Sequence, residues 1–581
     1  MPNSLAVAKR ALRHTPPAYH LKAPHGWIND PCAPGYDAVT GTYHLFYQWN
    51  PESCDWGNIA WGHFTSRDGI FWEQNGDEAK LKPDNPYDKE GVFTGCFCPT
   101  GLYGEEGQLS VIYTSALRLP IHWTKPYSRN AGLSVAVSKD GGREWEKSDL
   151  NPILCGEPED LVVTGFRDPF LAEWPALDDI RGEKSLYGLV SGGVLDQGPT
   201  VFIYAVSPDN LTKWNYLGQF VDMPVGYRPP GRWSANFGVN WECANFMTLG
   251  HGSELGHFLI LGSEGKLDAE CVNDDEDDNW VQPLWLAGSL ENNPTGPKLK
   301  HEYSGMFDYG CFYAPNSYEH PETKKRVLWG WLKEDELSLA RRESKGWTGH
   351  MSLPREIFLF TAKNVTGTLK TPLEDIHSIK VLDINPTGRK TKSVQTLGIR
   401  PLSDLQRLRP AKHTHWSHIG ENSDSGKLAE NASPSWELEA VINVQRDQGR
   451  AGFFIRHNDD LTQRTSIFFS AQDEEIVVDR SQSNREADVK KNEVSGPFTL
   501  FRFDDEGAEV LEKLRLRIFC DGDVLEVFAN DRFALSTMVY SDVPLSSGIS
   551  WFVEGQGSTP IVFESIKLWD NLANVMASPL S

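Results

Sequence analysis

Five short, β-favouring apolar runs recur along the first two-thirds of the chain: Leu45-Phe-Tyr-Gln48, Val111-Ile-Tyr-Thr114, Tyr187-Gly-Leu-Val190, Phe258-Leu-Ile-Leu261 and Val327-Leu-Trp-Gly330. Their spacing of roughly 70 residues accommodates a four-stranded blade with its loops, and a fixed period of this kind marks a repeat architecture. A second echo keeps the same period. Ser66-Arg-Asp-Gly69 leads to Trp72, Ser138-Lys-Asp-Gly141 to Trp145, and Ser207-Pro-Asp-Asn210 to Trp214. Asp-Gly and Asp-Asn supply the positive φ of hairpin turns, and the Trp opens the next strand as a packing residue. Five such units predict a five-bladed β-propeller.

After Pro354 the texture changes. A stretch rich in Lys, Thr, Ser and Pro is followed by segments such as Trp436-Glu-Leu-Glu-Ala-Val-Ile442 and Leu514-Arg-Leu-Arg-Ile-Phe519. They alternate polar with apolar residues, as in sheets with one wet face. Helical periodicity is scarce, and 581 residues exceed one ordinary core. The expected fold is all-β: a five-bladed β-propeller over 1–360, a linker over 361–385 and an antiparallel β-sandwich over 386–581.

Three acids stand in short motifs: Asn29-Asp30-Pro31, Arg167-Asp168-Pro169 and Trp241-Glu242-Cys243. Asp30 to Asp168 is about two repeats of ~70 residues and Asp168 to Glu242 about one, so the acids occupy matching phases of blades one, three and four. The corresponding phases of blades two and five fall near Gly95 and Asp308. Residues at one phase of a closed ring converge on one end of its axis, so the three acids should share a pocket. Two carboxyls are the minimum equipment for cutting a glycosidic bond.

The remaining features narrow the partners. A net charge of −24 repels nucleic acid and anionic membranes, which leaves a neutral small molecule as the better substrate. Nine scattered cysteines suggest buried, reduced thiols, and Cys96-x-Cys98 lacks the further ligands of a metal site. The Asp274-Asp-Glu-Asp-Asp278 run lacks the alternation and glycine of a calcium loop and is expected to be solvated. No metal or cofactor is expected. Lys9, Arg10 and Arg13 are followed by no apolar run, so no secretory signal is visible and a cytoplasmic protein, monomer or homodimer, is expected.

The ordered motifs resemble glycoside hydrolase family 32, the invertases, inulinases, fructan hydrolases and fructosyltransferases. They are Trp27-Ile-Asn-Asp-Pro31, Phe46-Tyr-Gln48, Trp56-Gly57, Trp61-Gly-His63, Phe93-Thr-Gly-Cys96, Phe166-Arg-Asp-Pro169, Trp241-Glu-Cys243, Ser352-Leu-Pro-Arg-Glu356 and Asp521-Gly-Asp523. The resemblance implies a propeller followed by a sandwich. It makes Asp30 the nucleophile, Glu242 the acid/base and Asp168 the residue that binds fructose hydroxyls and stabilises the transition state. Such an acid needs a raised pKa, and Asp168 should stay ionised beside Arg167. Asn29, Gln48, Thr94, Arg167 and Tyr313 are the expected polar substrate contacts. Trp56 and Trp61 suit sugar faces or blade packing, and His63 is expected to be structural.

The sequence departs from many hydrolytic members at Cys32-Ala33, at Ala244-Asn245 and before Phe312-Tyr313, which bears on whether water or a sugar accepts the fructose. Asp-Pro-Cys-Ala resembles the nucleophile segment of fungal fructosyltransferases. The expected activity is a retaining β-fructofuranosidase acting on sucrose, with transfer giving short fructooligosaccharides such as 1-kestose. The alternatives are an inulinase or fructan exohydrolase, and a non-catalytic sugar-binding propeller.

Overall fold

The computed structural model describes residues 14–252, 254–265, 280–383, 391–420, 423–444, 447–541, 547–555 and 560–576. The acidic run at 274–278 lies outside them. Five antiparallel sheets follow one another along the first part of the chain. Their first strands are Gly26–Asp37, Gly91–Cys98, Val163–Glu173, Asn240–His251 and Phe312–Glu319. Each first strand touches the next, and the fifth touches the first, which closes a ring. A parallel pairing of Gly26 and Trp27 with Trp347 and Thr348 seals it.

The five apolar runs all lie on second strands: Thr42–Asn50, Leu109–Ala116, Leu186–Val194, Glu254–Glu264 and Arg326–Leu332. These strands are covered on both faces, which is why they read as continuous apolar runs rather than alternating ones. The Ser-x-Asp echoes are turns before the outer strand. Asp68 Oδ1 accepts from Ile70 N and Phe71 N, and Asp140 Oδ1 accepts from Arg143 N and Glu144 N. Gly69 and Gly141 both take φ of +74°, a conformation that favours glycine. Trp72, Trp145 and Trp214 are buried as packing residues.

Two six-stranded antiparallel sheets form the sandwich, packed around Leu438, Phe453, Ile467, Ile518, Val527 and Phe563. Of the residues expected as a linker, 361–385, those described, up to Asp383, are not bare chain. The strand Arg355–Thr368 runs through position 360, pairs with Arg326–Leu332 of the fifth blade, and continues against Lys392–Pro401 and Phe501–Asp505. Lys380–Asp383 pairs on the outer side of Lys392–Pro401. The fifth sheet therefore borrows strands from beyond the propeller, and the Lys- and Thr-rich composition reflects its half-exposed outer face.

A buried charge network joins the two parts. Arg355 faces Asp308 at 2.9 Å and Glu526 at 2.7 Å, and His20 bridges Asp521 at 3.0 Å and Glu526 at 3.1 Å. Asp308 also accepts from Ser536 N and Oγ. No helix among the described residues is long and apolar enough to cross a membrane.

Candidate active site

Antiparallel pairing slips on all five first strands at the same height. The register skips between Ile28 and Pro31, between Phe93 and Gly95, past Asp168-Pro169, between Glu242 and Asn245, and between Tyr313 and Asn316. Such bulges re-aim a side chain out of the ladder. The backbone bends hard there: Asp168, Cys243 and Ala314 take φ of +61°, +50° and +50°. The fifth-blade position is thus Tyr313-Ala314, not the neighbourhood of Asp308, which serves the contact with the sandwich.

These bulges gather the predicted residues. Asp30 Oδ2 accepts from Thr94 Oγ1 at 2.5 Å and from Gln48 Nε2 at 3.3 Å, while Asn29 Nδ2 donates to Asp30 Oδ1 at 3.1 Å. Gln48 also accepts from Asn29 and donates to Thr94, so four side chains from two blades form one net around the nucleophile candidate. Arg167 donates to Glu242 Oε1 from Nε at 3.0 Å and from Nη2 at 2.6 Å. Tyr313 Oη donates to Glu242 Oε2 at 2.5 Å. Gly262 lies opposite Glu242 on the neighbouring strand, and a β-carbon there would fall 2.4 Å from Tyr313 Oη. Glycine makes the room that lets Tyr313 reach the acid.

Cys243 joins the acids. Its N–H donates to Asp168 Oδ2 at 3.2 Å, and its thiol lies 3.6 Å from both Asp30 Oδ2 and Asp168 Oδ2. Glu264 belongs to the same cluster although its motif gave no sign of it. Its carboxylate accepts from Arg167 Nη2 at 2.8 Å and from Asn240 Nδ2 at 2.9 Å. The available signal was its place, directly opposite Asn240 at the end of a second strand, beside the Glu242 motif.

Two protonation expectations are reversed. Burial alone would raise Glu242, but the Arg167 guanidinium and then the Tyr313 hydroxyl hold it below the ordinary glutamate value. Asp168 is instead pushed up to about 8 by burial and by the charges of Glu242 and Asp30, which outweigh Arg167. Arg167 Nε is 3.9 Å from Asp168 because the guanidinium is committed to the two glutamates. Burial and then the Glu242 charge lift Glu264 to about 7. Burial raises Asp30 to about 6, against the pull of Thr94. Asp168 and Glu264 are buried and Asp30 and Glu242 half-buried, and the four carboxyls share one guanidinium, so the upward shifts fall on Asp30, Asp168 and Glu264 rather than on Glu242.

The aromatic candidates separate. Trp56 sits on the connection between the second and third strands of blade one, 48% exposed, with its ring 6.0 Å from Phe93. Trp61 is fully buried against Phe46 and Tyr113 and keeps no face for a ligand. His63 stacks on Phe46 at 3.9 Å and bonds His44 and Asn75, a packing role as expected. Cys32 and Ala33 are wholly buried between blades one and two, so they do not line the pocket as an acceptor contact. Cys96 and Cys98 are buried free thiols, and among the described residues no three His, Cys, Asp or Glu side chains are placed so that they could hold a metal ion.

The chain is similar to several solved and curated proteins. The Aspergillus kawachii β-fructofuranosidase structure aligns with a TM-score of 0.87 at 27% identity, over 97% of this chain and 96% of that one. A fructosyltransferase from A. japonicus aligns with a TM-score of 0.83 at 26% identity, over 97% and 96%. Fructan 1-exohydrolase w3 of Triticum aestivum is 28% identical over 90% of this chain and 82% of its own length. The N-terminal domain model of glycosyl hydrolases family 32 matches residues 20–371 and the C-terminal model residues 404–570. The chain is therefore a member of glycoside hydrolase family 32, the family of β-fructofuranosidases and fructan hydrolases.

Proposed function

We propose that this chain is a retaining β-fructofuranosidase acting on sucrose, and that it passes part of the fructose to a second sugar to give short fructooligosaccharides such as 1-kestose. The observation that carries the role assignment is the asymmetry of the two carboxylates. Asp30 is surrounded by neutral donors from Asn29, Gln48 and Thr94 that hold it ionised and oriented, as a nucleophile requires. Glu242 is tied by Arg167 to a second glutamate that retains a proton near neutrality.

Glu242 donates a proton to the glycosidic oxygen as the bond from fructose C2 breaks, and an Asp30 oxygen forms the new bond to C2. The acceptor hydroxyl then attacks C2, returns its proton to Glu242 and releases Asp30. Because Glu242 itself is held low, the proton has to come from its buried neighbours when substrate displaces water. Asp168, beside both acids, binds fructose hydroxyls and stabilises the oxocarbenium-like transition state.

Transfer is supported by the likeness to the A. japonicus fructosyltransferase. The likeness to a wheat fructan 1-exohydrolase favours a second reading, in which inulin-type fructan is the main substrate. Incubation with concentrated sucrose and chromatography of the products tests the first. Free glucose in excess of fructose, with a trisaccharide, is expected; equal glucose and fructose at high sucrose would sink the transfer claim. Faster release of fructose from inulin than from sucrose would select the second reading.

A further inference from the structure

A bulge takes backbone groups off the ladder and leaves them for other partners. Around the axis these bulges are met by buried side chains from a neighbouring blade. Thr114 Oγ1 of blade two accepts from Asp168 N at 2.7 Å, and Ser191 Oγ of blade three accepts from Ala244 N at 2.9 Å. Asn245 Nδ2 of blade four donates to Pro315 O of blade five at 3.2 Å. Blade five closes the ring through Asn316, which is buried just past that blade's own bulge. Asn316 Nδ2 donates to Pro31 O of blade one at 3.2 Å and to Gly95 O of blade two at 3.0 Å, so both amide hydrogens are used. Its Oδ1 accepts from Ser317 N at 3.0 Å, which fixes the way the amide faces.

We propose that Asn316 is a positioning residue for the nucleophile, clamping together the two strands whose side chains meet in the Thr94–Asp30 hydrogen bond. This rests on the assignment of Asp30 as the nucleophile. Pro31 directly follows Asp30 and Gly95 directly follows Thr94, so the two carbonyls that Asn316 holds lie one residue from the two partners of that bond. Proline has no N–H, so its carbonyl is the backbone group that a neighbour can hold at that point of the nucleophile's strand. Blades one and two are separate sheets, and no shared ladder sets their spacing at the axis. One amide bonded to both supplies that spacing. Without it the strands can part, the Thr94–Asp30 bond lengthens and the carboxylate turns from its line of attack. A misplacement of ~1 Å at a reacting group can cost about a hundredfold in rate.

A double-mutant cycle with Thr94→Val is the test. Asn316→Ala should lower kcat/KM on sucrose about tenfold, carried mainly by kcat, and move the acid limb of the pH–rate profile to higher pH. In the Thr94→Val background the bond that the clamp serves is already gone. There the same change should cost less than about twofold more and leave the acid limb where Thr94→Val puts it. Asn316→Ser, which keeps a donor of shorter reach, should lose less than Asn316→Ala, and it carries the same cycle if the alanine protein does not fold. Equal losses in the two backgrounds, no loss in the parent background, or failure of both variants to fold would overturn the proposal while the reading of the enzyme stood. A parent protein that released fructose from neither sucrose nor inulin would overturn that reading, and the clamp with it.

Discussion

The Thr94 hydroxyl of blade two donates to Asp30 Oδ2 of blade one across 2.5 Å. A hydrogen bond to a charged group contributes about 1.5–3 kcal/mol. Thr94→Val keeps the shape and removes the donor, so kcat/KM should fall about 10- to 100-fold. The bond favours the ionised form of Asp30, so its loss raises the pKa further above about 6. The acid limb of the pH–rate profile should move to higher pH. Steady-state kinetics across pH check both effects.

Removing either reacting carboxylate should separate turnover from folding. Asp30→Asn and Glu242→Gln should each lower kcat by about three orders of magnitude or more. Both changes keep size and polarity, so thermal midpoints should stay close to the parent value. Near-normal turnover in either variant would break the role assignment.

The pH profile should be bell-shaped and narrow. Rates should fall below about 6 as Asp30 takes a proton, and above about 7 as Glu264 gives up the one the cluster needs. Glu264→Gln removes that reservoir and leaves Arg167 to Glu242 alone, which holds Glu242 still lower. The alkaline limb should move down in pH and the maximum rate should drop. An unchanged alkaline limb would show that the proton is stored elsewhere, Asp168 being the next candidate.

Trp56 and Trp61 stand in similar Trp-Gly motifs but should behave differently. Trp56→Ala should raise KM for sucrose severalfold with little change in melting. Trp61→Phe trims a fully buried ring, so it should lower the melting midpoint and leave KM near the parent value. Kinetics and calorimetry on the two variants check this.

His20 offers a stability test away from the pocket. Burial would lower its pKa, but hydrogen bonds to Asp521 and Glu526 win and raise it to about 9. A group raised in the folded state contributes stability that is fully present below its unfolded value near 6.5 and is lost as pH rises through about 9. His20→Gln should therefore lower the melting midpoint most at pH 6, and the gap from the parent protein should close by pH values above about 9.

Periodic features were readable in the chain because periodicity is local. Val111-Ile-Tyr-Thr114 and its four counterparts announced second strands, and the acids at matching phases announced a shared pocket. Protonation was not readable, because Glu242 is governed by Arg167 and Tyr313, which lie 75 and 71 positions away. Glu264 escaped for the same reason: an acid ending an apolar strand looks like any solvated turn until the guanidinium beside it is seen. Trp61 and Cys32 misled because a motif fixes their position along a strand but not which face the twist presents. The strand through position 360 was hidden by composition, since its outer face is half-exposed and reads as polar chain.

That strand has a consequence for how such a protein is inherited. Arg355 begins a segment that is hydrogen-bonded on one side to the fifth blade and farther along to residues 501–503. The guanidinium of Arg355 neutralises an aspartate from one part and a glutamate from the other. A propeller severed from its sandwich would present an open sheet edge together with a buried cation stripped of one of its two anions. Recombination at this seam is therefore penalised twice, and the two modules are expected to travel through evolution as a single unit.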